Sequence, residues 1–344
     1  ISDYTPKGDG SSPLAKIKSF VEATCPECDG PATRETDTMD GFACSSWYYL
    51  RFLDPKNKER FASKEAIEYW MPVDIYIGGA EHAVMHLLYA RFWYKVMFDN
   101  NLVNSTEPFS TLKNQGMVLA EGGEKMSKSK NNVINPDTVI NEYGADTLRL
   151  YELFLGPFDD AVAWNTEAID GCRRFLNRFY RILPNDYIEK EISSSVEVEI
   201  VSEIMLTIEK VEKDILDFKF NTAIAAMMEF INKLTQVFNK GNITKDKYTE
   251  VYYKFNLILS PFAPFITEEI NELLGNVESV HLSTWPVVDQ NLINKDFNKM
   301  AVQVNGKFKS ELLVGNVDEE ECIEMALDLL KIDKDSIKKT IFVK

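Results

Sequence analysis

The stretch VDIYIGGAEHAVMHLLYARFWYKVMF, Val73 to Phe98, opens with β-branched and aromatic residues, stops at Gly78-Gly79, and continues with helical spacing. Such a run reads as a buried strand that ends in a tight turn and feeds a helix. A second strand-like run, NQGMVLA at 114–120, leads into GGEKMSKSKNN at 122–132. Strand, helix, strand and loop in that order are what the second half of a nucleotide-binding α/β sheet looks like, with its ligand crevice at the strand ends.

Working outward, the first forty residues are rich in Gly, Pro, Ser, Thr and Asp (TPKGDGSSP and CPECDGPATRETDTMDG) and read as irregular structure. After Pro136, a proline suited to a first helical turn, long amphipathic segments are expected near 167–183, 196–217, 219–239, 246–260 and 264–274, and together they read as a helical bundle. MAVQVNGKFKSELLV has a strand-turn-strand pattern around Asn305-Gly306, and the helix DEEECIEMALDLLK and the strand-like KTIFVK complete a small α/β tail.

Composition bounds the partners. With 344 residues, 45% of them hydrophobic, the chain can bury real cores in two or three domains. Its 38 Lys+Arg against 54 Asp+Glu give a net charge of −16, so any polyanion must be met by local basic patches. No run of about eighteen apolar residues and no charged-then-apolar leader occurs, so a cytoplasmic protein with no membrane partner is expected. The five cysteines make no disulfide framework. The chain starts at Ile1, which is read here as the mark of a processed or excised piece.

An acidic chain keeps Lys125, Lys128 and Lys130 within six residues, between Gly122-Gly123 and Asn131-Asn132. Ammonium groups on a Gly-flanked loop can close over a polyphosphate as point charges, with serine hydroxyls and backbone N–H groups as further donors. A solvated surface loop is the plainer reading of the same residues.

The pentapeptide KMSKS, followed by NNVINPDTVINEYGADTLRL, resembles the second signature of the class I aminoacyl-tRNA synthetases. The segments RETDTMDGFACSSWYYLRFLDP, YWMPVDIYIGGAEHAVMHLLYARFW and GADTLRLYELFLGPFDDAVAWNTEAIDGCRRFLNRFYRIL are similar to the leucyl branch of bacterial type, as are FNTAIAAMMEFINKL, LSPFAPFITEEI and VQVNGK. Isoleucyl and valyl relatives typically carry an aspartate-bearing motif where GGAEH stands here. The family's HIGH-type string is absent, nothing matches its inserted editing domain, and the family would continue for roughly another strand past IFVK. The resemblance implies α/β plus α architecture: an irregular segment with a CxxC knuckle at 1–40 and the C-terminal half of a Rossmann-like catalytic domain at 41–135. A stem-contact connection at 136–166, a helical anticodon-binding domain at 167–287 and a small α/β domain at 297–344 follow. Its implied activity is ligation of leucine to tRNA(Leu), with ATP as substrate accompanied by Mg2+, this chain supplying the KMSKS half of the site and the tRNA-binding domains. The N-terminal half of the enzyme is then a partner, and the chain is expected to be inactive alone. A class I ligase for another aliphatic amino acid and a non-catalytic tRNA-binding paralogue are the alternatives; the intact KMSKS argues against the second.

The resemblance also implies roles. Lys125 and Lys128 bear on the ATP phosphates and the leaving pyrophosphate, Met126, Ser127 and Ser129 belong to the same loop, and Gln115 and Val118 sit near adenine. Gly78 and Gly79 form the turn at the ATP crevice, and Glu81 beside them can accept from ribose hydroxyls. Ser45 and Tyr48 in CSSWYYL line the leucine pocket with His82 and His86, while Trp47 and Tyr49 are expected in the core. Two helix histidines, one packed and one wet, are an equal reading for His86. A zinc-protease site is set aside, because Glu81 precedes the first histidine instead of following it. Zinc is not expected at Cys25 and Cys28 either, since the only nearby third thiol is Cys44 and no second pair matches. Arg174, Arg178 and Arg181 recur at i, i+4 and i+7 opposite Cys172, Phe175, Phe179 and Ile182, a stripe that reads either as ordinary solvation or as tRNA contact. The tail lysines Lys307, Lys309, Lys338 and Lys339 resemble those of the small domain that touches the tRNA elbow.

Overall fold

The computed structural model describes residues 1, 5, 8, 10–293, 298–314, 319–330, 332, 337, 339 and 340. Lys338 and the end of KTIFVK lie outside the described residues. Contacts divide the chain into two compact units, Ile1–Met117 and Val118–Lys344.

The first unit begins with a 3-10 turn at Pro13–Lys16 and a short helix α1 (Lys18–Val21). Strands β1 (Glu22–Thr24) and β2 (Pro31–Thr33) then pair antiparallel. Between them the CPECDG turn closes through Cys25 N–H donating to the Gly30 carbonyl at 2.8 Å, with Asp29 at φ 54°. Helices α2 (Gly41–Ser45), α3 (Tyr48–Leu53) and α4 (Lys64–Trp70) precede strand β3 (Val73–Gly79). Helix α5 (His86–Asp99) returns the chain to strand β4 (Phe109–Gln115), which runs parallel to β3 with Gly78 opposite Asn114 and Gly79 opposite Gln115. Tyr49, Leu50, Ile67, Ala90 and Tyr94 form the core of this unit. Ile75, Ile77 and Leu112 stay 49%, 54% and 45% exposed, an unusual state for a parallel pair, which normally buries both faces.

The βαβ expectation holds, with two corrections. The second strand starts at Phe109 and stops at Gln115, so NQGMVLA is not one strand: Gly116-Met117 intervenes, and Val118–Leu119 (β5) pairs parallel with Val162–Ala163 (β6). The helix after Gly79 also begins later than expected. A 3-10 turn at Ala80–Val84 holds His82, and His86 is the first residue of α5.

The second unit contains β5, the lysine loop, β6 and the helices. Helix α6 (Pro136–Tyr143) is capped by Asn135, whose side chain accepts from Asp137 N–H. Gly144, at φ 91°, separates it from α7 (Ala145–Phe154). Helices α8 (Thr166–Arg181), α9 (Ser194–Leu216), α10 (Phe220–Lys240), α11 (Lys245–Leu259) and α12 (Pro264–Leu273) form the bundle. Each lies within about two residues of its expected span, because the apolar period is strong and the ends carry Asn, Gly or Pro. Three buried tyrosines fasten the bundle. The Tyr248 hydroxyl donates to the Ile182 carbonyl at 2.7 Å, Tyr252 to Phe179 at 3.0 Å and Tyr187 to Ile243 at 2.8 Å. Two of these acceptors are carbonyls at the C-terminal end of α8; the Ile182 carbonyl lies past the last helical residue, and the Phe179 carbonyl also accepts from Ile182 N–H at 3.3 Å. Burial pushes all three phenols above their ordinary range. Asp146, 8% exposed, accepts from Phe265 N–H at 3.3 Å and Ile266 N–H at 2.7 Å, so α7 caps the start of α12. A two-stranded antiparallel ribbon, β7 (Asn298–Val304) and β8 (Lys307–Val314), turns at Asn305-Gly306 and is followed by α13 (Glu319–Leu330).

Candidate active site

Two clusters contain the expected site residues, one in each unit. In the first unit the parallel strands end together at Gly79 and Gln115, the carboxyl edge at which open α/β sheets bind ligands. A Cβ at Gly79 would meet the carboxylate of Glu81, so a side chain there would have to displace Glu81 from the turn. Gly78 has open space around it, and Glu81 is exposed.

Next to this edge the structure joins three rings that are far apart in sequence. The Tyr48 and Tyr76 hydroxyls lie 2.5 Å apart, and the Tyr76 hydroxyl lies 2.7 Å from His86 Nε2. Tyr76 is fixed from the other side by stacking on Phe109, with centroids 3.9 Å apart. His86 is 9% exposed, and burial, then the neighbouring His82, hold its pKa below the ordinary 6.5. His82 lies 6.4 Å from His86 between ring centroids and edge-on to Phe42 at 6.3 Å. The Nδ1 of His82 is buried with no hydrogen-bond partner among the described residues. A buried polar atom without a partner is costly unless a ligand supplies one. His86 is thus the packed histidine, and it is hydrogen-bonded as well. Ser45, by contrast, is exposed and turns back to the Phe42 carbonyl at 3.2 Å. Tyr49 is buried as expected, whereas Trp47 is only half-buried, with the Arg51 guanidinium 5.6 Å from its ring.

Sequence reasoning missed Tyr76. Its one signal is position, as the sole aromatic in a strand that stops three residues later at the crevice.

In the second unit the lysine loop is tightly built. Ala120 N–H donates to the Glu124 carbonyl at 2.8 Å, and Leu119 and Lys125 form an antiparallel bridge. Met126 packs against the bundle core. Ser127 N–H donates to Asn132 Oδ1 at 2.8 Å, the Asn132 amide donates to the Lys125 carbonyl at 3.3 Å, and Asn131 adopts φ 52°. The Ser127 hydroxyl accepts from Lys130 N–H and lies 3.1 Å from the Ser129 hydroxyl. The three lysines are not equivalent. Lys130 Nζ is paired with Glu124 at 2.9 Å, while Lys125 and Lys128 are exposed and have no ion-pair partner among the described residues. Val118 starts β5 beside this loop. At its root Glu121 accepts from the Thr166 hydroxyl at 2.7 Å, and Trp164 N–H donates to Leu119.

The basic stripe of α8 is exposed, with Cys172, Phe175, Phe179 and Ile182 buried behind it. Arg178 donates to Asn232 on α10, so Arg174 and Arg181 are the members without a hydrogen bond or ion pair among the described residues. Lys307 and Lys309 are exposed on β8, and Lys339 is exposed as well. No group of three or more His, Cys, Asp or Glu side chains is arranged to hold a metal ion among the described residues. The Cys25 thiol lies below its ordinary pKa because the N–H groups of Glu27 and Cys28 stabilise the thiolate. No described helix is long and apolar enough to cross a membrane.

Residues 15–165 match the family of class I tRNA synthetases for isoleucine, leucine, methionine and valine, and residues 197–324 match the anticodon-binding domain of tRNA ligases. A leucine–tRNA ligase of Alkaliphilus oremlandii (strain OhILAs) is 44% identical over 314 residues, which cover 91% of this chain and 38% of that protein. The Agrobacterium radiobacter K84 agnB2 LeuRS, solved as a ternary complex with tRNA and LeuAMS, superposes with a TM-score of 0.77 at 34% identity. That match covers 98% of this chain and 44% of the other. The methionyl-tRNA synthetase of Mycobacterium tuberculosis, solved with methionyl-adenylate, shares the fold at 15% identity and a TM-score of 0.53, over 86% of this chain and 57% of its own. The chain therefore spans less than half the length of its leucyl relatives. With both family models matched and nearly its whole length aligned to leucyl relatives, the chain belongs to the class I aminoacyl-tRNA synthetases, on their leucyl branch.

Proposed function

We propose that this chain supplies the pyrophosphate-binding loop, the amino-acid-facing cluster and the tRNA-binding bundle of a leucine–tRNA ligase. The reaction activates leucine with ATP, which arrives as its magnesium complex, and passes the leucyl group to tRNA(Leu). The observation that carries the reading is the pair of unpaired ammonium groups, Lys125 and Lys128, on a loop whose third lysine is neutralised by Glu124. In the first step the leucine carboxylate attacks the α-phosphate and pyrophosphate leaves. No covalent protein intermediate is needed, so alignment and charge neutralisation carry the catalysis. Lys125 and Lys128 take up charge on the phosphates as it moves to the leaving group. The N–H and hydroxyl groups of Ser127 and Ser129 shape their approach, and Met126 anchors the loop.

In the first unit, Glu81 takes the ribose hydroxyls beside Gly78, Gly79 and Gln115; in the second unit, Val118 is assigned to adenine. Tyr48, Ser45, His82 and His86 face the amino acid. Arg174, Arg181, Arg178, Lys307 and Lys309 meet tRNA phosphates locally on an otherwise acidic surface. The exposed apolar residues Ile75, Ile77 and Leu112 support a sheet completed by sequence beyond this chain. That sequence would also supply the HIGH motif, which does not occur here.

The test is ATP–pyrophosphate exchange driven by a panel of aliphatic amino acids, on this chain alone and with the upstream part of the enzyme added. Leucine-dependent exchange on mixing supports the reading. Exchange driven best by another amino acid overturns the leucine assignment, and silence in the reconstituted enzyme overturns the ligase assignment.

A further inference from the structure

The lysine loop leaves β5 through a turn from Ala120 to Glu124, closed by Ala120 N–H donating to the Glu124 carbonyl at 2.8 Å and Gly123 N–H to the Ala120 carbonyl at 3.0 Å. Gly122 and Gly123, at φ 93° and 82°, bring no side chain to hold this turn in place. The Glu124 carboxylate is spent inside the loop on Lys130. Among the described residues, Glu121 is thus the one member of the turn whose side chain hydrogen-bonds to another element.

We propose that Glu121 is a positioning residue for the activation step: by holding Thr166 it fixes the turn that aims Lys125 and Lys128 at the ATP phosphates. Its Oε1 accepts from the Thr166 hydroxyl at 2.7 Å and from the Thr166 N–H at 3.3 Å. That N–H opens α8 and has no acceptor within the helix, so the carboxylate also meets the positive end of α8. The Trp164 indole N–H donates to the Thr166 hydroxyl oxygen at 3.2 Å, which leaves the hydroxyl proton for Glu121. Trp164 is 7% exposed, and its backbone N–H donates to the Leu119 carbonyl at 2.8 Å, so the donor side of this contact is itself anchored to β5. The Thr166 hydroxyl, then its N–H, hold the Glu121 carboxyl below its ordinary pKa, as expected of a carboxylate that accepts two bonds. Lys125 follows the turn directly and bridges Leu119 across it, with Lys128 three residues on. Neither ammonium group has an ion-pair partner among the described residues, so their direction follows from the backbone that carries them. Met126 secures the far side of the loop against the bundle core, and Glu121 secures the near side against α8.

The role in activation rests on the ligase reading above, whereas the tether does not. In the reconstituted enzyme, Glu121→Ala should lower kcat for leucine-dependent pyrophosphate exchange by about tenfold, the scale of a small misplacement of a catalytic group, with the KM for leucine unchanged. Glu121→Gln keeps an acceptor oxygen for Thr166 and should restore most of that kcat. Thr166→Val combined with Glu121→Ala should be no slower than Glu121→Ala alone, because both remove one contact. An unchanged kcat in Glu121→Ala, a loss that tracks a lowered melting temperature, or multiplying losses in the double variant would each overturn the proposal. Amide hydrogen–deuterium exchange on this chain alone tests the tether without the reaction. Glu121→Ala should speed deuteration at Ala120 and Lys125, Glu121→Gln should not, and equal protection in all three proteins overturns the tether. The expected deuteration pattern together with a silent unmodified reconstituted enzyme would overturn the ligase reading and leave the tether standing.

Discussion

Replacing Lys128 by alanine and Lys130 by alanine should give opposite results, although the two residues are neighbours in one loop and carry the same charge. Lys128 is exposed and unpaired, so its ammonium is available to a phosphate; Lys130 is committed to Glu124 at 2.9 Å. A charge 4 Å from a phosphate oxygen is worth about 4 kcal/mol at an effective dielectric near 20. Loss of one such donor in catalysis typically costs about 3 kcal/mol, or roughly a hundredfold in rate. Lys128→Ala should therefore lower kcat/KM for leucine-dependent pyrophosphate exchange by about a hundredfold in the reconstituted enzyme. Lys130→Ala removes an exposed ion pair, worth about 0–1 kcal/mol, and should reduce exchange less than about fivefold. Melting temperatures should be unchanged in both, since neither side chain is buried. Exchange kinetics of the two variants side by side decide the matter. Equal losses would refute the argument, because they would mean that Glu124 releases Lys130 during the reaction and that the pairing seen here does not rank the lysines.

Further perturbations test the framework around the site. Asp146→Ala leaves two N–H groups at the start of α12 without their acceptor and should cost about 2–4 kcal/mol in urea unfolding, whereas Asp146→Asn should cost roughly half as much. Gly241→Ala forces an alanine into φ 64° with its Cβ against the Ile188 carbonyl, and should destabilise the bundle by about 2–4 kcal/mol by the same assay. His86 takes up its proton at lower pH in the folded chain than the ordinary 6.5. The unfolded chain thus binds more protons between those two values, so the stability that neutral His86 contributes is present above about pH 6.5 and is lost as pH falls through the folded value. His86→Gln should flatten that part of the stability profile in denaturant titrations between about pH 5 and 7.

The parts legible in sequence are those whose physics is local. The helices of the second unit follow from apolar spacing and from Asn135, Asn165, Gly241 and Pro264 at their ends. Strand β3 was readable from VDIYIGG, but β4, with the sequence FSTLKNQ, mixes polar residues without alternation and is set by its pairing to β3. The lysine loop announced itself as a string, whereas the ranking of its lysines depends on Glu124 folding back across the turn. Tyr76 was invisible for a related reason, since its meaning lies in meeting Tyr48 and His86, 28 and 10 residues away. The stripe of α8 was correctly placed on the surface, but the Arg178 bond to Asn232 crosses 54 residues and has no sequence signature.

The root of the lysine loop bears on how such enzymes can be recombined. Strand β5 pairs with β6, Glu121 accepts from Thr166, and Met126 sits against the bundle core, so residues from both sides of a long intervening segment fix one short loop. A chimera joined anywhere between Val118 and Thr166 would separate the loop from its own footing, even with every loop residue kept. Grafting between relatives should therefore carry β5, the loop and the whole of α8 as one block, with the junctions placed at Gly116 and after Pro184.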